Sequence, residues 1–208
     1  MTQVKQVPGA WPAAHRASST RMQMTGLQAT PARYTRPAVL LHWAVAVGVL
    51  AALTIGLYME HFPGFKHTTP EWNSALFWHG SIGALVLLLM VARLAWRVTH
   101  RPPALPASVA AWKVKASHVV HGLLYALLFA APVVGLVHRM AGNHPIDFFG
   151  LWRWPVLITP DEALRVFADK LHVALVTGIG LLIVGHIAAV LLHRFIDRDG
   201  VSERMNWR

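Results

Sequence analysis

Thirteen histidines and no cysteine decide what this 208-residue chain can do with a metal. Without thiolates there is no disulfide, no thiolate-held iron–sulfur cluster, no thiolate haem ligand and no covalent C-x-x-C-H haem attachment. Imidazole is the abundant ligand that remains. His172 and His186 lie fourteen residues apart within the apolar run Leu171 to Leu192. Fourteen steps of about 100° return to within about 40° of the start, so both rings leave one stripe of a helix. At about 1.5 Å per residue they stand ~21 Å apart, one near each edge of a ~30 Å hydrocarbon layer. Imidazoles in lipid are costly. Two at opposite depths on one face suggest two stacked metal centres.

The elements that must position them are membrane helices. The chain is 55% hydrophobic and 13% charged, about half the charge of a soluble domain. Four apolar spans, about 38–59, 75–96, 117–138 and 171–192, predict an all-α integral membrane four-helix bundle. Residues 1–36 form a basic tail, expected to be disordered and without a signal-peptide core; Met22 and Met24 are further candidate starts. Residues 37–193 form the four-span domain, and 194–208 a basic C-terminal tail. Pro132 is expected to kink span three or loosen a turn of it, and PDEALRVFADK to form a short surface helix leading into span four. The two tails, the link between spans two and three and the adjoining end of span two hold 14 of the 19 Lys and Arg residues. That bias puts both termini in the cytoplasm. In such a chain the net charge of +10 reflects topology and lipid headgroups rather than nucleic acid.

Orientation gives each intramembrane histidine a depth. His42 and His186 share the cytoplasmic level; His79 and His172 share the outer level. A low-spin haem takes two axial imidazoles from different helices, so these pairs predict two non-covalent b haems. A single histidine near a helix end is more often an interfacial hydrogen-bonding residue, and glycine faces more often serve helix packing. That explanation suits any one residue but not four matched in depth. Zinc suits them less, because structural zinc takes four ligands in one tetrahedron. Gly80, Gly83, Gly178, Gly180 and Gly185 are expected to leave room for a flat ring. Arg93 and Arg97 follow the positive-inside pattern, with contact to a haem propionate as a second reading.

The chain resembles the bacterial cytochrome b561 family over about residues 33 to 207. The resemblance rests on YTRPAVLLHWAV, FWHGSIGALVLLLMVARLAWR, SHVVHGLLYALLFAAPVVGLV and LHVALVTGIGLLIVGHIAAVLLHRF. It implies a di-haem b-type cytochrome of the bacterial inner membrane, ligated by His42, His79, His172 and His186. It also implies electron exchange with ubiquinone, with His121 and His193 near the quinone. Some members are similar to superoxide oxidases, making this chain a candidate superoxide:ubiquinone oxidoreductase. The alternative is an electron-carrier subunit serving a periplasmic redox protein. The outer connections carry Lys66, Arg139, Arg153, Arg165 and Lys170 against Glu60, Glu71, Asp147, Asp161, Glu162 and Asp169, a sum near zero. Collecting an anion there would depend on local clustering, as around Lys66, Arg139 and Arg153, with His61, His67, His138 and His144 adding charge if protonated.

Overall fold

The computed structural model describes residues 33–61 and 69–206. The tail to residue 32 and the part of the first connection holding Pro63, Gly64, Lys66 and His67 lie outside the described residues.

Four long helices, α1 Arg36–His61, α2 Pro70–Thr99, α3 Ala111–Ala141 and α4 Glu162–Leu191, make the bundle. All four are long and apolar enough to cross a membrane. Outward-facing apolar side chains such as Val47, Val184 and Leu181 (72% exposed) suit contact with lipid. The chain is a multi-pass membrane protein. Its helices pack as two hairpins, α1 on α2 and α3 on α4, joined mainly through α2 and α3. Between the ends sits a core of Val45, Val49, Val86, Met90, Ala131 and Ile179. At one end of the bundle lie the α1–α2 and α3–α4 connections (the loop end). The other holds the start of α1, the α2–α3 link and the C-terminus (the terminal end).

Local chemistry sets the helix limits. Thr69 caps α2, its Oγ1 accepting the Trp72 N–H at 3.2 Å, with Pro70 in the first turn. Pro102 and Pro103 follow its end. Asp161 caps α4 by accepting the Leu164 N–H at 3.0 Å. The helix expected over PDEALRVFADK forms from Glu162 and runs into span four without a break: nothing in Glu162–Lys170 interrupts it, so those residues are the first turns of α4. α3 continues through Pro132 as one helix.

The α3–α4 connection contains structure the sequence reading did not anticipate. Strands β1 (Ile146–Phe148) and β2 (Trp152–Trp154) pair antiparallel, with Asp147 opposite Arg153. Phe149 (φ 52°) and Gly150 (φ 70°) turn the chain, and the Leu151 N–H closes the turn on the Phe148 carbonyl at 2.9 Å. Ser81, wholly buried, straps this hairpin to α2: its Oγ donates to the Asp147 carbonyl and accepts the Phe149 N–H, both at 3.0 Å. At the other end the chain leaves α4 through a π-helical turn, Leu192–Asp197, and folds back. Buried Arg204 donates to the Ala104 carbonyl at 2.8 Å, and Trp43 Nε1 donates to the Met205 carbonyl at 3.1 Å.

Candidate haem sites

At the loop end the rings of His79 (α2) and His172 (α4) face each other with centroids 6.1 Å apart and planes at 83°. At the terminal end His42 (α1) and His186 (α4) do so at 6.4 Å and 76°. Two imidazoles gripping one iron from opposite sides need two metal–nitrogen bonds of about 2 Å and about 1.1 Å from each nitrogen to its ring centre, about 6 Å in all. Both pairs fit that span.

The loop-end rings are also aimed. His79 Nδ1 donates to the Ala52 carbonyl of α1 at 3.0 Å, and His172 Nδ1 to the Ala131 carbonyl of α3 at 2.9 Å. A carbonyl only accepts, so each ring carries its proton on Nδ1 and keeps the Nε2 lone pair for a metal. Four residues beyond each carbonyl stands a glycine, Gly56 and Gly135. A methyl on either would lie 3.2 Å from the imidazole Cε1, so both rings rest against bare backbone. The same device is built twice, on α1 for the α2 histidine and on α3 for the α4 histidine. Next to His79, Trp78 meets Phe149 of the hairpin edge-on at 6.0 Å, and the Ser81 strap seats the hairpin over this end.

Three imidazoles gather at the terminal end. The His121 ring lies 5.5 Å from His186 at 70°, shorter than an iron-bridged pair requires, and its Nδ1 is 3.2 Å from Ser117 Oγ. Arg93 Nε donates to the Tyr125 hydroxyl at 2.9 Å. His193 stands in an acidic cradle: its Nδ1 donates to Asp199 and lies 3.4 Å from Asp197, which pairs with Lys113. The two expected quinone-site histidines thus have different surroundings, His121 beside the His186 ring and His193 against two carboxylates. Asp197 was findable as the residue four beyond His193 on a helix. Asp199 was not, because it arrives through the π-helical turn and the left-handed Arg198 (φ 51°).

One glycine assignment needs correcting. Gly178 faces Leu127, whose Cδ1 would lie 3.4 Å from an added methyl, so it serves α3–α4 packing rather than ring clearance. Among the described residues, nothing lies within 4 Å of a methyl added at Gly80, Gly83, Gly180 or Gly185.

A sequence profile of prokaryotic cytochrome b561 matches residues 33–207. The chain belongs to the prokaryotic cytochrome b561 family. It is 34% identical to cytochrome b561 homolog 2 of Escherichia coli (strain K12) over 179 residues, covering 85% of this chain and 92% of that protein. It is 25% identical to cytochrome b561 homolog 1 of the same strain over 173 residues, covering 83% and 96%. A Yersinia pestis protein named probable superoxide oxidase CybB is 24% identical over 168 residues, covering 79% and 90%. As a cytochrome b561, the chain is a membrane cytochrome of electron transport that binds b-type haem. The paired imidazoles, the Nδ1 bonds that free Nε2, and the glycines under the rings suit that group.

Proposed function

We propose that the chain holds two b haems, one between His42 and His186 and one between His79 and His172. On this reading it carries electrons across the bacterial inner membrane, from a donor at the loop end to ubiquinone at the terminal end. The observation that carries this is the presence, at each end of the bundle, of two imidazoles about 6 Å apart from different hairpins. Bound b haem supplies reversible one-electron chemistry at each iron. The protein's own part is to fix the rings, exclude water from the middle of the bundle and handle protons. Reducing a quinone by two electrons takes up two protons, and His193 is the residue proposed to deliver them. Asp199 on Nδ1 leaves its Nε2 to exchange a proton with a bound quinone. His121, beside the His186 ring, is the second residue proposed for the quinone site. The positive-inside bias supports both termini in the cytoplasm.

Superoxide is the proposed donor, supported by the name of the Yersinia relative. The described loop-end charges give it little help. Arg153 is paired with Asp147 and Arg165 with Glu162. Desolvation lowers the pKa of the His144 imidazole from its ordinary value, with Arg139 and His138 adding to the effect, which works against a positive charge there. A second reading, docking of a periplasmic redox protein, is favoured by the apolar tip of this end, where Leu151, Trp152 and Leu157 are all exposed.

A pyridine haemochrome count on purified protein, joined to a superoxide–quinone assay, tests the proposal. Two haems per chain and superoxide-driven quinone reduction are expected. Two haems that superoxide fails to reduce would leave the docking reading standing and remove the enzyme. His172→Ala and His186→Ala should each drop the count from two to one. A doubly loaded variant of either would break the pairing.

A further inference from the structure

The terminal end holds a cationic cleft that neither the iron ligands nor the quinone histidines use. It is an open space of about 480 Å³ lined by Arg33, Arg93, Arg97, Arg101 and Tyr125, and among its described lining residues there is no carboxylate. The guanidinium carbons of Arg93 and Arg97 lie 5.7 and 5.6 Å from the centre of the Tyr125 ring. Arg93 spends its Nε on the Tyr125 hydroxyl, while its Nη1 is buried with no hydrogen-bond partner among the described residues. A buried cationic donor left unpaired is costly, and two guanidiniums gathered on one ring repel each other. Both costs are relieved by one anion with two acceptor oxygens, the match a guanidinium makes with a carboxylate.

Position narrows the choice of anion. Ala38 and Leu41 of α1 line the same cleft, one turn and one residue before His42. Tyr125 comes one turn after His121, whose ring meets that of His186. The cleft therefore opens beside the terminal-end imidazoles. We propose that Arg93, backed by Arg97, binds a propionate carboxylate of the haem held by His42 and His186. This rests on the two-haem reading above. A fixed positive charge there favours the form of the iron that has gained an electron. Arg93 thus raises the potential of this haem and makes the terminal end the downhill destination for an electron entering at the loop end.

The test is Arg93→Gln in the purified, haem-loaded protein, followed by an optical redox titration. One midpoint should fall while the other holds, and the moving one should be the haem that His186→Ala loses. Arg93→Lys should recover part of the fall, because it restores the charge without the planar fork. Should Arg93→Gln not assemble, Tyr125→Phe removes the bond that aims the guanidinium and should lower the same midpoint by less. Unchanged midpoints in the variants that assemble, or an equal shift of both haems, would overturn the assignment. Unchanged midpoints with a loss of co-purifying anionic phospholipid would give the guanidinium to a headgroup phosphate, also overturning it. The haem count is read first: a wild-type count below two strikes the two-haem reading itself, whereas two haems with unmoved midpoints strike only the role of Arg93.

Discussion

The two ends of the bundle set their histidines by opposite means. At the loop end both rings are pinned to helix carbonyls, rest on glycine backbone and lie under a strapped hairpin. At the terminal end, among the described residues, no hydrogen bond reaches the His42 or His186 ring, and a third imidazole and an arginine crowd the pair. A preset ligand pair suits a centre that has only to pass electrons. The less constrained pair sits where an exchangeable molecule and its protons would have to come and go. Among the described residues the excess of Lys and Arg over Asp and Glu also lies at the terminal end.

The strongest way to break this contrast is Gly135→Val. A branched side chain in place of bare backbone 3.2 Å from His172 Cε1 should expel the loop-end haem, taking the haemochrome count from two to one. A variant with two haems would show that the backbone seat is dispensable. Next comes His193→Ala, expected to keep both haems while slowing quinone reduction by roughly 10²-fold, the low end for a positioned proton carrier. Loss of a haem there would mean that an axial ligand has been misassigned. Gly56→Ala is milder. Overpacking by one methyl should cost about 1–3 kcal/mol at the loop end, seen as faster transfer of one haem to apomyoglobin and unchanged transfer of the other. Smallest is Ser81→Ala, which removes two hydrogen bonds from the hairpin at a cost of about 1–3 kcal/mol. Amide exchange across Asp147–Phe149 should quicken with both haems retained; unchanged exchange would show that the strap does not hold the hairpin down.

What could be read from the sequence follows the range of the forces involved. The four spans were legible because hydropathy and helical period are local, and the structure brings the ring of His42 within 6.4 Å of His186 and that of His79 within 6.1 Å of His172. The hairpin was not legible, since its strands are three residues long and its turn puts Phe149, rather than Asn or Asp, in the left-handed region. Gly56 and Gly135 carry no signal in the sequence, because only the packing of α1 on α2 and α3 on α4 sets an imidazole against each. Gly178 erred the other way, assigned to a ring by its neighbourhood in sequence while a leucine from α3 occupies its face. The Asp199 contact depends on one extra residue per turn after Leu191, a choice that no periodicity announces.

The core of Val45, Val49, Val86, Met90, Ala131 and Ile179 lies between the two histidine levels, with Ile179 midway between His172 and His186 on α4. Five of these six side chains can neither donate nor accept a hydrogen bond, Met90 offers only a weakly accepting sulfur, and stripping a hydrated ion of its water there would be prohibitive. A tunnelling electron needs no such stepping stones. On the proposed two-haem reading, this waist would hold back protons while electrons tunnel past it, so that current could cross the protein without discharging the membrane.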